Sequence, residues 1–170
     1  MNSVQFFYLL VSLLLGIVLV SLLRTDAGAP RPRMLLFVAL AVLIAALLCV
    51  GVVSHTIARH IVQAVPALIA LVLVARQSPL ATAASAPVCT FWLGVMLNIW
   101  LFILGIARIF SGTFSTVEIV LTIVIAAGSA IGILSIVRAG TRLSAAARLS
   151  TAAAFGIAQF AAMVASFQFG

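Results

Sequence analysis

The chain has 170 residues, of which 66% are hydrophobic and only 6% are charged, and its mean hydropathy is +1.42. Soluble domains carry about 25% charged residues, so this composition excludes a water-soluble globular protein. The net charge of +7 comes from nine arginines opposed by Asp26 and Glu118, and lysine is absent. Because the arginines lie singly or in small groups between apolar runs, they indicate membrane topology and lipid contact, and no nucleic-acid partner is expected.

Apolar runs long enough to cross a bilayer recur along the chain, since a transmembrane helix needs about 20 apolar residues. The runs are continuous and do not alternate with polar residues, which favours helices over a β-barrel. We predict an all-α membrane protein, a bundle of six transmembrane helices at about residues 4–23, 34–53, 57–75, 88–107, 117–137 and 149–167. The connections are short, so we expect one integral membrane domain over residues 1–170 and no extramembrane domain. The first run lacks the basic start of a signal peptide and is expected to be retained.

The third run is the shortest of the six. Residues 61–75 contain Gln63 and Pro66 and extend over about 22 Å, less than the roughly 30 Å of a bilayer core. The run crosses the membrane if residues 57–60 join the helix, with Arg59 reaching the head groups. If it does not cross, the protein has five spans.

The distribution of arginines decides between six and five spans. With six spans, the connections at residues 24–33, 76–87 and 138–148 share one side and hold seven arginines, and the other side holds Arg59 and Arg108. With five spans, the two sides hold four and five arginines. The positive-inside rule therefore favours six spans with both termini on the outer side, and we expect a bacterial inner (plasma) membrane.

Glu118 lies at the predicted start of the fifth span, where a carboxylate in lipid is costly and suggests a function. Ser115 and Glu118 also have the S-x-x-E spacing of a capping box, in which each side chain bonds a free N–H group at a helix start. Arg108, at the other end of the same connection, is a candidate partner of the carboxylate. We predict the cap, and a proton or substrate role for Glu118 is the alternative.

Three amide side chains lie within the predicted spans: Gln63 in the third, Asn98 near the middle of the fourth and Gln159 in the last. A buried amide needs a partner, and an interhelical hydrogen bond of this kind contributes about 1 kcal/mol. We expect Asn98 to join helices, with Gln159 or Gln63 as its partner. The alternative is that these amides, together with Glu118, line a substrate path.

Small residues mark two of the spans as helix-packing surfaces. Gly128 and Gly132 form a GxxxG pattern, which lets two helices approach closely. In the last span, small residues recur at every fourth position, at Ser150, Ala154, Ala158, Ala162 and Ser166. This spacing places them nearly along one helical face. We predict that the two helices pack on each other through these residues.

His55 and His60 share a short connection with Arg59. Five residues on a helix correspond to about 140° of rotation, so the two rings would not share a face. We regard both histidines as weak candidates for metal or haem ligands and predict no metal site. The sequence implies no cofactor, and bound lipid is expected.

The sequence contains no nucleotide-binding loop, metalloprotease motif or catalytic pair, so we expect a protein without enzymatic activity. The first hypothesis is a small structural or accessory subunit of a larger membrane complex, with other membrane subunits or further copies of itself as partners. The alternative is a small-solute transporter or channel with a polar path near Asn98. Convergence of Asn98, Gln63 and Gln159 on one cavity favours transport, whereas separate pairwise bonds favour the structural role.

Overall fold

The computed structural model describes residues 30–106 and 113–169, with side chains from Arg33 onward. They form the helices α1 (Pro30–Val53), α2 (Ile57–Ala75), α3 (Ala81–Ile103), α4 (Thr116–Arg138) and α5 (Ala145–Ser166), followed by a 3₁₀ turn at Phe167–Phe169. All five helices are long and apolar enough to cross a membrane. Within these ranges there is no strand and no extramembrane domain, which confirms the predicted all-α membrane fold. The predicted span at residues 4–23 lies outside the described residues.

The short third run forms a complete helix. α2 begins at Ile57, so Arg59 and His60 belong to the helix, and its 19 residues extend over about 28 Å, close to the thickness of a bilayer core. Pro66 lies inside α2 and is buried. The helix therefore has the length that the six-span prediction required of it.

α3 begins earlier than predicted, at Ala81 instead of residue 88, and Pro87 lies inside it. Every residue from 81 to 92 is buried. The short polar side chains in this stretch bond to carbonyls of their own helix, as Ser85 Oγ does to the Ala81 oxygen at 2.7 Å. Close packing of these small residues outweighs the helical hydrogen bond that Pro87 removes.

The pairs of helices that pack on each other differ from the prediction. α4 packs against α1 and α3, whereas α5 packs against α2 and α3. The predicted packing of α4 on α5 is wrong, because these two helices share almost no contact.

The two glycines of α4 face α1 and α3. A Cβ atom on Gly128 would lie 3.2 Å from the backbone oxygen of Ala39 in α1, and one on Gly132 would lie 2.7 Å from Sγ of Cys89 in α3. The GxxxG pattern thus brings α4 close to two helices other than α5. On α5, by contrast, Ala154 and Ala158 are exposed and Ala162 is half-buried, so most of the predicted small-residue face lies outside the bundle.

The antiparallel order of the helices gives the bundle two different ends. The starts of α1, α3 and α5 meet the ends of α2 and α4 at one end, where Arg33 Nη1 donates a hydrogen bond to the Gln77 oxygen at 3.3 Å. We call this the arginine-rich end, with Arg33, Arg76, Arg138, Arg142 and Arg148. The opposite end is the histidine end, with His55, Arg59, His60 and Glu118.

Three helices end in the same way. A residue with positive φ follows α1, α2 and α3, namely His55 (56°), Gln77 (52°) and Gly105 (72°). The next residue then bonds back across the last turn, as Thr56 N does to the Gly51 oxygen at 2.8 Å. This motif satisfies carbonyl groups that the end of a helix leaves free.

Candidate functional site

A cavity of about 560 Å³ lies inside the bundle at the histidine end, and we call it the central cavity. Side chains from all five helices line it. The lining runs from Thr56, the residue before α2, to Gln63 on α2 and from Glu118 to Ile125 on α4, which corresponds to a depth of about 10 Å along each helix. The volume lies within the range of about 300–1,000 Å³ that is typical of small-molecule sites.

Large apolar side chains form the walls of the central cavity. The rings of Phe91 and Trp92 on α3 stand edge to face, with centroids 5.6 Å apart and planes at 86°. Both side chains are buried. The remaining wall is formed mainly by Val95, Met96 and Ile99 of α3 and by Phe160 and Met163 of α5.

The mouth of the central cavity is polar. The guanidinium carbon of Arg59 lies 4.3 Å from the ring centroid of Phe167, a cation–π contact that contributes about 0.5–1 kcal/mol at exposed sites. His60 Nδ1 lies 3.0 Å from the Thr56 carbonyl oxygen, and the Thr56 hydroxyl lies 2.7 Å from Ser54 Oγ. The mouth thus combines a positioned positive charge with a group of hydrogen-bonding side chains.

Glu118 also lines the mouth, but its carboxylate is bonded to the start of α4. Its Oε2 accepts hydrogen bonds from Ser115 N at 2.8 Å and from Ser115 Oγ at 2.7 Å, and Glu118 N donates to Ser115 Oγ at 3.3 Å. Both halves of the predicted capping box are therefore present. Arg108, the candidate partner, lies outside the described residues.

Gln63 and Gln159 meet beside the inner end of the central cavity. Gln63 Nε2 donates to Ser166 Oγ at 2.9 Å, and Gln159 Nε2 donates to the backbone oxygen of Gln63 at 3.2 Å. Both bonds join α2 to α5 in a buried environment. Oε1 of Gln159 is buried and has no hydrogen-bond partner among the described residues.

Trp92, whose side chain lines the central cavity, provides a second buried polar atom without a hydrogen-bond partner. The side chain is 3% exposed, and within residues 30–106 and 113–169 nothing accepts a hydrogen bond from its Nε1. A buried donor left without a partner costs about 1–3 kcal/mol. The nitrogen itself is buried, so it does not face the open space of the cavity.

Asn98, the predicted centre of a polar path, does not line the central cavity. Its Nδ2 donates to the Gly94 oxygen at 2.8 Å, one turn back on the same helix. The expected bond from Asn98 to Gln63 or Gln159 is wrong, because the amide nitrogen bonds to a carbonyl of its own helix. Of the three amides, Gln63 and Gln159 come together and Asn98 stands apart, so the three do not converge on one cavity as the polar path near Asn98 would require.

The two histidines also separate. His55 is exposed in the turn after α1, whereas His60 lines the central cavity. Across the described part of the chain, no group of three or more His, Cys, Asp or Glu side chains is placed to hold a metal ion.

Sequence reasoning missed Arg59, Trp92 and Phe167 as site residues. Trp92 is the fifth residue of the predicted span 88–107, but α3 starts at Ala81, so Trp92 lies in the middle of the helix. The uncharged, alanine-rich stretch at residues 81–86 was the available signal for this longer helix. No protein-family model, curated protein or solved structure matches the chain.

Proposed function

We propose that this protein is a non-enzymatic membrane carrier that binds a small amphipathic molecule in the central cavity. The observation that carries the proposal is the cavity of about 560 Å³, lined by all five described helices. Protein interiors contain few voids larger than a water molecule, because packing contacts are lost around each of them. A bound molecule would restore these contacts.

The polarity of the lining defines the ligand. The rings of Phe91, Trp92 and Phe160 favour an apolar body in the inner part of the cavity. At the mouth, Arg59 favours a polar head with acceptor atoms. The ligand is therefore an amphiphile whose head points toward the histidine end.

The closed inner end of the cavity favours a carrier over an open channel. Toward the arginine-rich end, the bundle is filled by side chains with 0% exposure, among them Leu36, Leu40 and Leu43 on α1 and Ala67 on α2. A carrier exposes its site to one side at a time by movement of helices against each other. A cavity that opens at one end fits that requirement.

Tryptophan fluorescence tests the proposal, because the chain has only two tryptophans, Trp92 and Trp100, both on α3. Trp92 lines the cavity and Trp100 does not. In a Trp100→Phe variant, a brominated single-chain fatty acid is expected to quench Trp92 in a saturable manner, and the unbrominated acid should reverse the effect.

The matched control is Trp92→Phe, which leaves Trp100 as the reporter. Its quenching is expected to rise with probe concentration without saturation, as for simple partition into the detergent micelle. Non-saturable quenching of the same size in both variants would overturn the proposal.

The outer face of α5 favours a second candidate, a small structural or accessory subunit of a larger membrane complex. Ala154, Ala158, Ala161 and Ala165 are exposed there. Small residues permit the close approach of another helix in a membrane. A partner subunit that covers this face would use a surface that the described helices leave open.

Purification in mild detergent from the native source, followed by mass spectrometry, tests the second candidate. We expect a stoichiometric membrane subunit that is lost in Ala158→Leu and retained in Ala127→Leu, where the alanine is exposed on α4. Recovery of the wild-type chain alone, as a monomer or homo-oligomer, would eliminate this candidate.

We infer that the arginine-rich end faces the cytoplasm of a bacterial inner membrane. Of the six arginines whose side chains the structure describes, five lie at this end and Arg59 lies at the other, as the positive-inside rule requires. The carboxyl terminus then lies outside. Alkaline phosphatase fused after Gly170 should be active, and an inactive fusion would reverse the orientation.

A further inference from the structure

The arginine-rich end carries a surface groove of about 1130 Å³, separate from the central cavity. The groove lies between the start of α1, the end of α2 and the connection from α4 to α5. Arg33 and Arg142 line it on different segments, and Thr141 and Leu143 belong to the same wall as Arg142. We call it the basic groove.

Among the described residues, no carboxylate lies beside the basic groove. Glu118, the carboxylate that the described residues contain, lies at the opposite end of the bundle. A guanidinium has five N–H donors, and for Arg33 the structure records one hydrogen bond, to the Gln77 oxygen at 3.3 Å. Arg142 is exposed. Donors on both guanidinium groups are therefore open to an anion.

The groove also has an apolar part beside the charges. Met34 and Phe37 line it next to Arg33 and are 67% and 37% exposed. Arg33 belongs to the first turns of α1, at the arginine-rich end of the bundle, and Phe37 lies one turn further along the helix. A phospholipid has the same order of a charged head followed by an apolar chain, whereas a free anion would leave Met34 and Phe37 uncovered.

We propose that the basic groove binds an anionic phospholipid of the surrounding leaflet, with its phosphate between Arg33 and Arg142 and the upper part of an acyl chain against Met34 and Phe37. Guanidinium groups bind phosphate through paired, charge-assisted hydrogen bonds. Basic pockets between transmembrane helices are known to hold anionic head groups in this way.

Native mass spectrometry of the full chain, released from nanodiscs with equal amounts of phosphatidylglycerol and phosphatidylcholine, tests this site. The wild-type chain is expected to retain phosphatidylglycerol preferentially. Each arginine near a membrane surface contributes about fivefold to such binding, so Arg33→Gln with Arg142→Gln should reduce the preference about 25-fold. The matched control is Arg76→Gln with Arg138→Gln, which removes the same charge from exposed residues at the same end that do not line the groove.

The control arginines do not line the groove, so they contribute only through the general attraction of a positive surface for anionic lipid, and the preference should fall less than in the groove pair. Equal losses in both pairs, or no preference in the wild-type chain, would overturn the site. Displacement of the lipid by soluble glycerol phosphate would show that the groove binds the free anion instead. If the first pair fails to fold, as judged by circular dichroism, Arg142→Gln against Arg138→Gln applies the same test to two exposed arginines.

Discussion

The two halves of the bundle are packed in opposite ways, and α3 passes through both. In its first half every residue from 81 to 92 is buried, and up to Ala86 the residues are alanine, serine and threonine. In its second half, residues 93–103, Met96 is buried and the other side chains are half-buried or exposed. The same helix is therefore tightly packed near the arginine-rich end and loosely packed beside the central cavity.

Side-chain size accounts for this difference. Lipid chains are as apolar as leucine, so helices in a membrane associate through shape and hydrogen bonds more than through burial. In the tight half, Gly128 and Gly132 place α4 against Ala39 and Cys89. In the loose half, bulky side chains such as Met96, Ile99 and Phe160 surround a space that they do not fill. The change from small to bulky residues along α3 thus accounts for a tightly packed end of the bundle and an end that contains the central cavity.

The largest effect on stability is expected for Gly128→Leu, which disrupts the packing of the tight half. The new Cβ atom would lie 3.2 Å from the Ala39 oxygen and 3.6 Å from the Leu43 nitrogen, and these backbone atoms cannot move without α1. We expect the free energy of unfolding to fall by about 3 kcal/mol, the upper part of the range for overpacked cores. A lower thermal midpoint in detergent measures the loss.

The control for this substitution is Gly94→Leu on α3, where a Cβ atom would have no neighbour within 4 Å. Its midpoint should stay the same or rise, because glycine inside a helix costs about 1 kcal/mol relative to alanine. Equal losses for the two variants would mean that α4 is not packed more tightly than the second half of α3.

A smaller effect is expected from Gly132→Ala, and it should be reversible by a second substitution. The added Cβ atom would lie 2.7 Å from Cys89 Sγ, a side-chain atom on α3. We expect a loss of about 1–2 kcal/mol and recovery of most of it in the double variant Gly132→Ala, Cys89→Ala. A double-mutant cycle measures this coupling, and additive losses would place the two residues apart.

The positions of most helices could be predicted because a membrane imposes a length on each apolar run. The run at residues 57–75 and the helix Ile57–Ala75 coincide, and residues 117–137 became Thr116–Arg138. The early start of α3 could not be predicted, because Pro87 disfavours a helix locally and indicates a helix that begins after it. The packing of Ala83, Ala84 and Ala86, each 0% exposed, is a property of the whole bundle.

In the candidate site too, the features that depend on local sequence were predictable, and those that depend on long-range packing were not. The cap of Ser115 and Glu118 spans four residues and was predictable from their spacing alone. The central cavity depends on which helices are neighbours, and a GxxxG pattern indicates a smooth helix face without naming the helix that covers it. The sequence therefore indicated that Gln63 and Gln159 are polar residues within predicted spans. It did not indicate that the Gln159 side chain bonds to the backbone of Gln63 on α2.

An effect of about 1 kcal/mol is expected from Ser115→Ala, because this substitution removes the cap of α4 at the mouth of the cavity. Glu118→Ala removes the other half of the same capping box and should cost a similar amount. Both variants should leave the saturable quenching of Trp92 unchanged, since the carboxylate is bonded to Ser115. Loss of quenching in Glu118→Ala alone would assign the carboxylate to the ligand and not to the helix.

The smallest effect on stability is expected where the loose half is filled, in Val95→Phe. Val95 is half-buried and lines the central cavity, so a larger ring can enter existing space instead of displacing a neighbouring helix. We expect the free energy of unfolding to change by less than about 1 kcal/mol, below the usual cost of an enlarged core residue. The phenylalanine ring would occupy part of the space in which the ligand is proposed to bind. The probe concentration that half-saturates Trp92 quenching should therefore rise. A large loss of stability with unchanged quenching would contradict both expectations, because it would mean that the space beside α3 is already filled in the membrane.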